Sequence, residues 1–342
     1  MALLVAVAAG HLLILAYGQS PAHVFRILLE GTWGNRYGIG QVLFKATPLM
    51  LTGLAVALPL RAGLFNIGAE GQMVVGALAA AVVGAALPAA TPWPMATALC
   101  AAAGFGAGAF WGGAAGLLKV RFGAHEVITT IMLNFVALAL ANYLVVTFWH
   151  VPETLHSAPI VPAARLARLG LTFAALRGSA VSTALFWALV AAAAAWWLLF
   201  RTATGYEIRA AGHNPRAAEC AGISLVRVAT LAMALGGGCA GLVSMSFVQG
   251  YKYYFEDGFS GGMGFMGIAV ALLGRSHPAG VVAAALLFGT LSQGGLAINA
   301  LVPKEIVEIL QAVIILAVVA ASREVRAALA RGVRAAGRGA GR

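Results

Sequence analysis

Between Val181 and Phe200 the chain runs for 20 residues without a charged side chain, and Val228–Val248 does the same after a short polar interval. About 20 apolar residues is the length of helix that crosses the hydrocarbon core of a bilayer. A helix also satisfies its own backbone hydrogen bonds, which lipid cannot do for it. Further apolar runs lie at Met1–Tyr17, Val42–Leu60, Met73–Leu87, Met95–Leu118, Val127–Phe148, Met263–Leu273, Ala279–Ile298 and Val302–Ser322. The pattern predicts an all-α, polytopic membrane protein of about ten transmembrane helices. Composition agrees: 61% of residues are hydrophobic, 10% are charged and the mean hydropathy is +0.90. A soluble domain carries nearer a quarter charged residues. Residues 1–322 therefore read as one transmembrane domain and residues 323–342 as a basic tail.

The ends of the runs are less regular. Met1–Tyr17 is only just long enough to span and lacks the basic leader of a signal peptide, so no cleavage is expected. It reads as a first span whose natural start has been lost or miscalled. Gly18–Gln41 reads as a polar connection. On the opposite side of the membrane from the tail, Thr91–Pro94 (TPWP) makes a tight turn. His150–Ala180 is a long mixed segment expected to include an amphipathic surface piece. Gln249–Gly262 reads as an outer loop near an entrance, or as an interfacial anchor through Tyr251, Tyr253 and Tyr254.

Charge decides direction. The net charge is +11 and the sequence pI about 10.2. The positive residues sit between apolar runs and in the tail, which points to retention at the cytoplasmic face and not to nucleic acid. With the tail inside, Arg61, Lys119, Arg121, four Arg of residues 201–227, Arg275 and six tail Arg make fourteen of the 22 Lys and Arg. The expected orientation has the 201–227 segment and the C-terminus in the cytoplasm.

Two polar stretches interrupt this scheme. Arg61–Gly76 (RAGLFNIGAEGQMVVG) places Asn66, Glu70 and Gln72 inside an apolar run, among Gly63, Gly68, Gly71 and Gly76. A carboxyl at membrane depth is costly, about 2.5–3.5 kcal/mol on insertion scales for Asp. Glu70 must be protonated, hydrogen-bonded or turned to a wet cavity. If the segment is helical, Asn66 and Glu70 share a face; the glycines also permit a break that lines a path with backbone. Either way, Glu70 lines a path or tethers a neighbouring loop. Asn134 and Asn142 lie in a later span, where amides serve as glue between helices; Asn134, nearer mid-span, is the better lining candidate.

The second stretch is Arg201–Arg227. Asn214 can cap a helix by accepting from its orphan N–H groups. Pro215 suits the first helical position, and Gly222 can end the helix in the left-handed conformation. The predicted helix, Pro215–Ala221, is about two turns long, marginal alone and hence suited to docking on a partner surface.

Several chemistries are excluded. Cys100, Cys220 and Cys239 are far apart, so neither disulfide nor zinc is expected. HEVIT lacks the second His of a zinc-protease motif, and GFGAGA lies inside an apolar span with no strand before it. The glycines at 104, 108, 112 and 116 recur every four residues and read as a ridge for close helix packing. No GxxxxGK[ST] is present, so the chain has no phosphate loop of its own. No reactive constellation supports an intramembrane enzyme; the alternative of a different class is an ATP-independent secondary transporter or channel, against which stand the lack of paired intramembrane acids for a proton relay and the 201–227 segment.

Four stretches, LFNIGAEGQMVVGA (Leu64–Ala77), FGAHEVITTIMLNFVA (Phe122–Ala137), GHNPRAAECAGI (Gly212–Ile223) and GIAVALLGRSHPAG (Gly267–Gly280), resemble the permease subunits of bacterial ABC importers. The similarity is to the simple-sugar and branched-chain amino acid branch, and within it to nucleoside-type members; it covers Pro21 to about Ser322. The resemblance implies an import permease in the bacterial inner membrane that pairs with a second, related permease. It implies separate ATPase subunits that bind ATP and Mg, no cofactor in this chain, and a lipid-anchored or periplasmic binding protein that delivers the solute. It carries the coupling role onto Asn214, Pro215, Ala217, Ala218 and Gly222. It carries the substrate path onto Asn66, Glu70 and Gln72, with Asn134 in support. Nucleosides are the implied substrates, simple sugars the alternative. The N-terminus departs from the family, whose members carry a basic lead-in before the first span.

Overall fold

The computed structural model describes residues 2–303, 305, 306, 308, 309, 311–313 and 316. These form helices and connecting loops; the β pairing among them consists of three isolated bridges. The chain divides into two units, Met1–Gly34 with Leu291–Arg342, and Asn35–Thr290.

In the first unit, α1 (Ala2–Ala16) ends at Gly18, whose φ is +73°, and α2 (Pro21–Thr32) follows. Val24, Leu28 and Thr32 are buried along one face of α2 at a spacing of four, which explains why a stretch that looks polar forms a helix. Val24 and Leu28 pack with Ile14, Ile298, Val302 and Ile306. Gly18–Gln41 is therefore not a polar connection.

The second unit begins with α3 (Arg36–Arg61), six residues earlier than its apolar run, because the Asn35 side chain accepts from the Gly38 N–H at 2.6 Å and caps it. α4 (Ala69–Ala86), α5 (Trp93–Phe122) and α6 (Glu126–Leu144) follow, α6 continuing through the π-helical turns Val145–Trp149. After a long connection come α7 (Ala184–Arg201), α8 (Ala203–His213) and α9 (Pro215–Cys220). α10 (Leu225–Gly241) leads into a π-helical stretch, Met245–Lys252; then come α11 (Met263–Leu273) and α12 (Pro278–Ile298), of which the residues from Leu291 onward belong to the first unit.

The glycine ridge of α5 packs against α10. A Cβ on Gly104 would lie 2.9 Å from the Gly241 carbonyl oxygen, and one on Gly108 would strike the Gly237 carbonyl. Gly76 of α4 closes on the same point, against Gly241 and the Gly104 carbonyl. Three helices thus meet backbone to backbone, as small residues allow in lipid.

Among the described residues seven helices are long and apolar enough to cross a membrane, or eight if the pair Gly10–Ala16 and Pro21–Thr32, bent by 114°, is one span. The expected number was about ten. α1 stops at the bend, and α11 has 11 residues, roughly 16 Å at 1.5 Å per residue, about half the hydrocarbon thickness. The expected span Val302–Ser322 and the tail fall largely outside the described residues.

The long connection holds only short helical turns, such as Leu169–Thr172, and not an amphipathic helix. It is pinned instead by its backbone to the 249–255 segment: Ser157 N–H donates to Phe255 O, Ile160 N–H to Tyr253 O and Leu166 N–H to Gln249 O, at 2.8–2.9 Å. Gln249 belongs to the π-helical stretch and is fully buried, its Nε2 donating to Thr97 O and Ala164 O at 3.2 Å each.

Candidate functional site

At Ala62–Gly68 the chain leaves the end of α3 and re-enters the bundle without helical structure. Gly63 turns the backbone with φ +76°. The Asn66 side chain then competes with helix formation, because its Oδ1 accepts from the Gly68 N–H at 3.0 Å. Asn66 therefore precedes α4, and Asn66 and Glu70 do not share a helix face.

The break exposes backbone groups that lipid could not satisfy, and buried side chains meet them. Asn66 and Gln72 exchange two hydrogen bonds, Nδ2 to Oε1 at 2.9 Å and Nε2 to Oδ1 at 3.0 Å. Asn66 Nδ2 also donates to Ala55 O of α3 at 3.0 Å. From α6, Asn134 Nδ2 donates to Ile67 O at 3.0 Å while its Oδ1 accepts from the Gly71 N–H at 2.8 Å. Thr130, one turn earlier, accepts from the Ile67 N–H at 3.3 Å. Asn66, Gln72, Thr130 and Asn134 are all buried. The sequence reading missed Thr130; its signal was the i, i+4 spacing to Asn134 on one face of α6.

Glu70 lies just beyond this cluster, 4% exposed, with its carboxylate engaged elsewhere. Oε1 accepts from the Gly262 N–H at 3.2 Å and Oε2 from the Gly264 N–H at 2.7 Å. These N–H groups stand at the N-terminus of α11, where helical donors lack intrahelical partners and negative charge is favoured. Glu70 caps a half-length helix from another element. Of the three conditions open to a carboxyl at depth, it is hydrogen-bonded.

The second candidate region is built around α9. Asn214 Oδ1 accepts from the Ala217 N–H at 3.2 Å, and Pro215 takes the first helical position. The helix ends at Cys220, one residue short of the expected Ala221. Gly222 has φ +82°; its N–H donates to Glu219 O at 2.9 Å, and the Ile223 N–H donates to Ala218 O at 3.0 Å. These two bonds form the Schellman closure. Ala218 is buried, whereas Asn214, Pro215, Arg216, Ala217, Glu219 and Cys220 are exposed.

α8 was not foreseen. Thr202 caps it by accepting from the Gly205 N–H at 3.1 Å, and Gly205, Ile208 and Ala211 are its buried face. The 202-to-205 cap and the 208–211 spacing were the available signals, weakened by two internal glycines. α8 closes on the start of the broken segment: a Cβ on Gly212 would strike the Arg61 carbonyl oxygen and lie 3.0 Å from Gly63 N. Arg61 reaches on to the α11–α12 turn, its Nε donating to Ser276 O at 2.8 Å. In that turn Arg275 and Ser276 hold left-handed φ of 54° and 50°, uncommon for residues with a side chain. Arg61 and Arg209 both stack over Phe200, at 5.7 and 5.3 Å. Asn66, Gln72 and Asn134 thus share one site, the α9 residues another, and Arg61, Gly63 and Gly212 stand between.

The family described as branched-chain amino acid transport system, permease component, matches residues 38–319, a range that holds both sites. The chain belongs to this permease family. The guanosine ABC transporter permease protein NupP of Bacillus subtilis (strain 168) is 39% identical over 325 residues, covering 92% of this permease and 90% of the relative. The glucose ABC transporter permease protein TsgB13 of Haloferax volcanii is 35% identical, covering 92% and 85%. The nucleoside ABC transporter permease protein NupB of Lactococcus lactis subsp. cremoris is 33% identical, covering 90% and 85%. Each of these organisms supplies a second, more distant permease match whose name carries the same solute. No solved structure matches this permease.

Proposed function

We propose that this permease is one transmembrane subunit of an ATP-driven importer of nucleosides. The observation that carries the reading is the 39% identity to a guanosine permease across 92% of the chain. The 35% identity to a glucose permease supports simple sugars as a second reading. Permeases that occur as two matches per organism support a related second permease as partner. The other partners are ATPase subunits, which bind ATP and Mg, and a lipid-anchored or periplasmic binding protein. The permease lies in the bacterial inner membrane with α9 and the C-terminus in the cytoplasm.

In this reading α9 docks on the ATPase. Asn214, Ala218 and Gly222 fix its two ends, while Pro215 and Ala217 stand at the exposed face. Movement of α9 displaces α8, and Gly212 passes the displacement to the end of α3 and to Gly63. Arg61 carries it to the α11–α12 turn. Asn66, Gln72 and Asn134 hold the break at the wall of the solute path, and Glu70 ties that wall to α11, so break and half-helix move together. The test is uptake of labelled guanosine into vesicles holding the assembled transporter. ATP-dependent uptake, displaced by unlabelled nucleosides and not by glucose, is expected; displacement by glucose alone selects the sugar reading.

A further inference from the structure

Four aromatic rings from three separate elements converge beside the loop that leads into α11. Phe44 comes from α3, Phe247 and Tyr251 from the π-helical stretch, and Phe259 from the loop that leads to α11. Ring centroids are 5.0 Å apart for Phe44 and Tyr251, 6.1 Å for Phe44 and Phe247, and 5.3 Å for Phe247 and Phe259. All four rings are partly buried and none is fully covered. Beside Phe259, the glycines at 258, 261 and 262 have positive φ, and a Cβ on any of them would meet nothing within 4 Å. Open space therefore adjoins the loop that carries Phe259. Lys252, ion-paired with Glu256 at 3.0 Å, lies 6.0 Å from the centroid of Tyr251 and gives the cluster a charged margin.

Two ordinary explanations fit poorly. An interfacial aromatic belt consists of Trp and Tyr turned singly to the headgroups, whereas three of these four rings are Phe and they contact one another at interplanar angles of 55–56°. Core packing accounts for one side of Phe259, which lies against the buried Phe255 with ring centroids 5.6 Å apart, but it leaves Phe44, Phe247 and Tyr251 with uncovered surface. The loop that carries Phe259 also begins α11, which lies roughly 16 Å deep from the Arg61 end of the bundle by its length. Non-helical backbone at such depth is tolerated where protein buries it or where it lines a watery cavity. π-Helical turns within longer helices often mark functional sites.

We infer that Phe44, Phe247, Tyr251 and Phe259 form a stacking platform for the flat heterocycle of the transported solute, placed above the Glu70-capped start of α11. The inference rests on the nucleoside reading. A purine offers a π face to such rings, and stacking of this kind tolerates changes in the substituents of the base. The ribose hydroxyls then meet the Lys252–Glu256 margin. Phe259 is three residues from Gly262, whose N–H is held by Glu70, so movement of the break tilts one wall of the platform.

The test uses the assembled transporter in vesicles, with uptake of labelled guanosine normalised to assembled complex. Phe44→Leu and Phe247→Leu are expected to lose about tenfold or more of the uptake, as loss of a stacking ring does elsewhere, while basal ATP hydrolysis persists. Phe247→Tyr, which keeps the ring, stays within about twofold of wild type by the same principle. Where Leu lowers assembly, Phe247→Met replaces it, since Met fills irregular gaps. Unchanged uptake in the Leu variants overturns the platform, as does an equal fall in Tyr and Leu variants, or failure of Leu and Met variants alike to assemble. The wild-type arm judges the wider reading separately: wild-type complex that carries glucose and not guanosine removes the nucleoside function itself.

Discussion

Glu70 carries more structural consequence than any other single residue at the break. Its two carboxylate oxygens meet two backbone N–H groups at the start of α11. Glu70→Gln keeps one acceptor oxygen and sets an NH2 donor against the second N–H. Glu70→Leu leaves both donors without a partner, at about 1–3 kcal/mol each. The expected order of thermal stability for the purified permease is therefore wild type, then Gln, then Leu, with uptake per assembled Gln complex close to wild type. Equal melting of all three would remove the capping role. The sequence made Glu70, Asn66, Gln72 and Asn134 conspicuous because polar groups are rare at such depth. It could not say what they bond to: Asn66 and Gln72 pair with each other across the break, and the remaining partners are backbone atoms of Ala55, Ile67, Gly68, Gly71, Gly262 and Gly264, which leave no mark in composition.

At the scale of elements, the α5–α10 contact is made glycine against glycine and was the most legible. A glycine every four residues on α5 predicts a smooth ridge, and the α10 glycines Gly237 and Gly241 meet it. Gly108→Val would drive a branched side chain into the Gly237 carbonyl and should sharply lower the yield of monodisperse permease in detergent. Gly106→Ala, two residues away where a Cβ would meet nothing within 4 Å, should leave the yield unchanged. Equal yields would show that the ridge does not set the helix separation. Elements with weak or mixed periodicity were harder to read. α2 looks polar because only one face is apolar, α8 is interrupted by glycines, and α11 looks like a span although its 11 residues cannot cross. Caps were more reliable than hydropathy: Asn214, Pro215 and Gly222 stand where a short capped helix requires them.

For the whole molecule, the decisive matter is whether α9 is a cytoplasmic surface that meets an ATPase. The protein carries its own probe. Cys100 and Cys239 are buried within the bundle, while Cys220, at the end of α9, is exposed. Modification by a membrane-impermeant maleimide should therefore report one site, Cys220, with Cys220→Ser as the unlabelled reference. The measurement is the rate of that labelling in right-side-out and inside-out membrane vesicles, with permease alone and with the assembled transporter. Rapid labelling from the cytoplasmic side of permease alone, none from outside, and protection in the assembled transporter are predicted. Labelling of Cys220 from outside would contradict the orientation and with it the docking role of α9, and equal rates with and without the ATPase subunits would contradict the docking role.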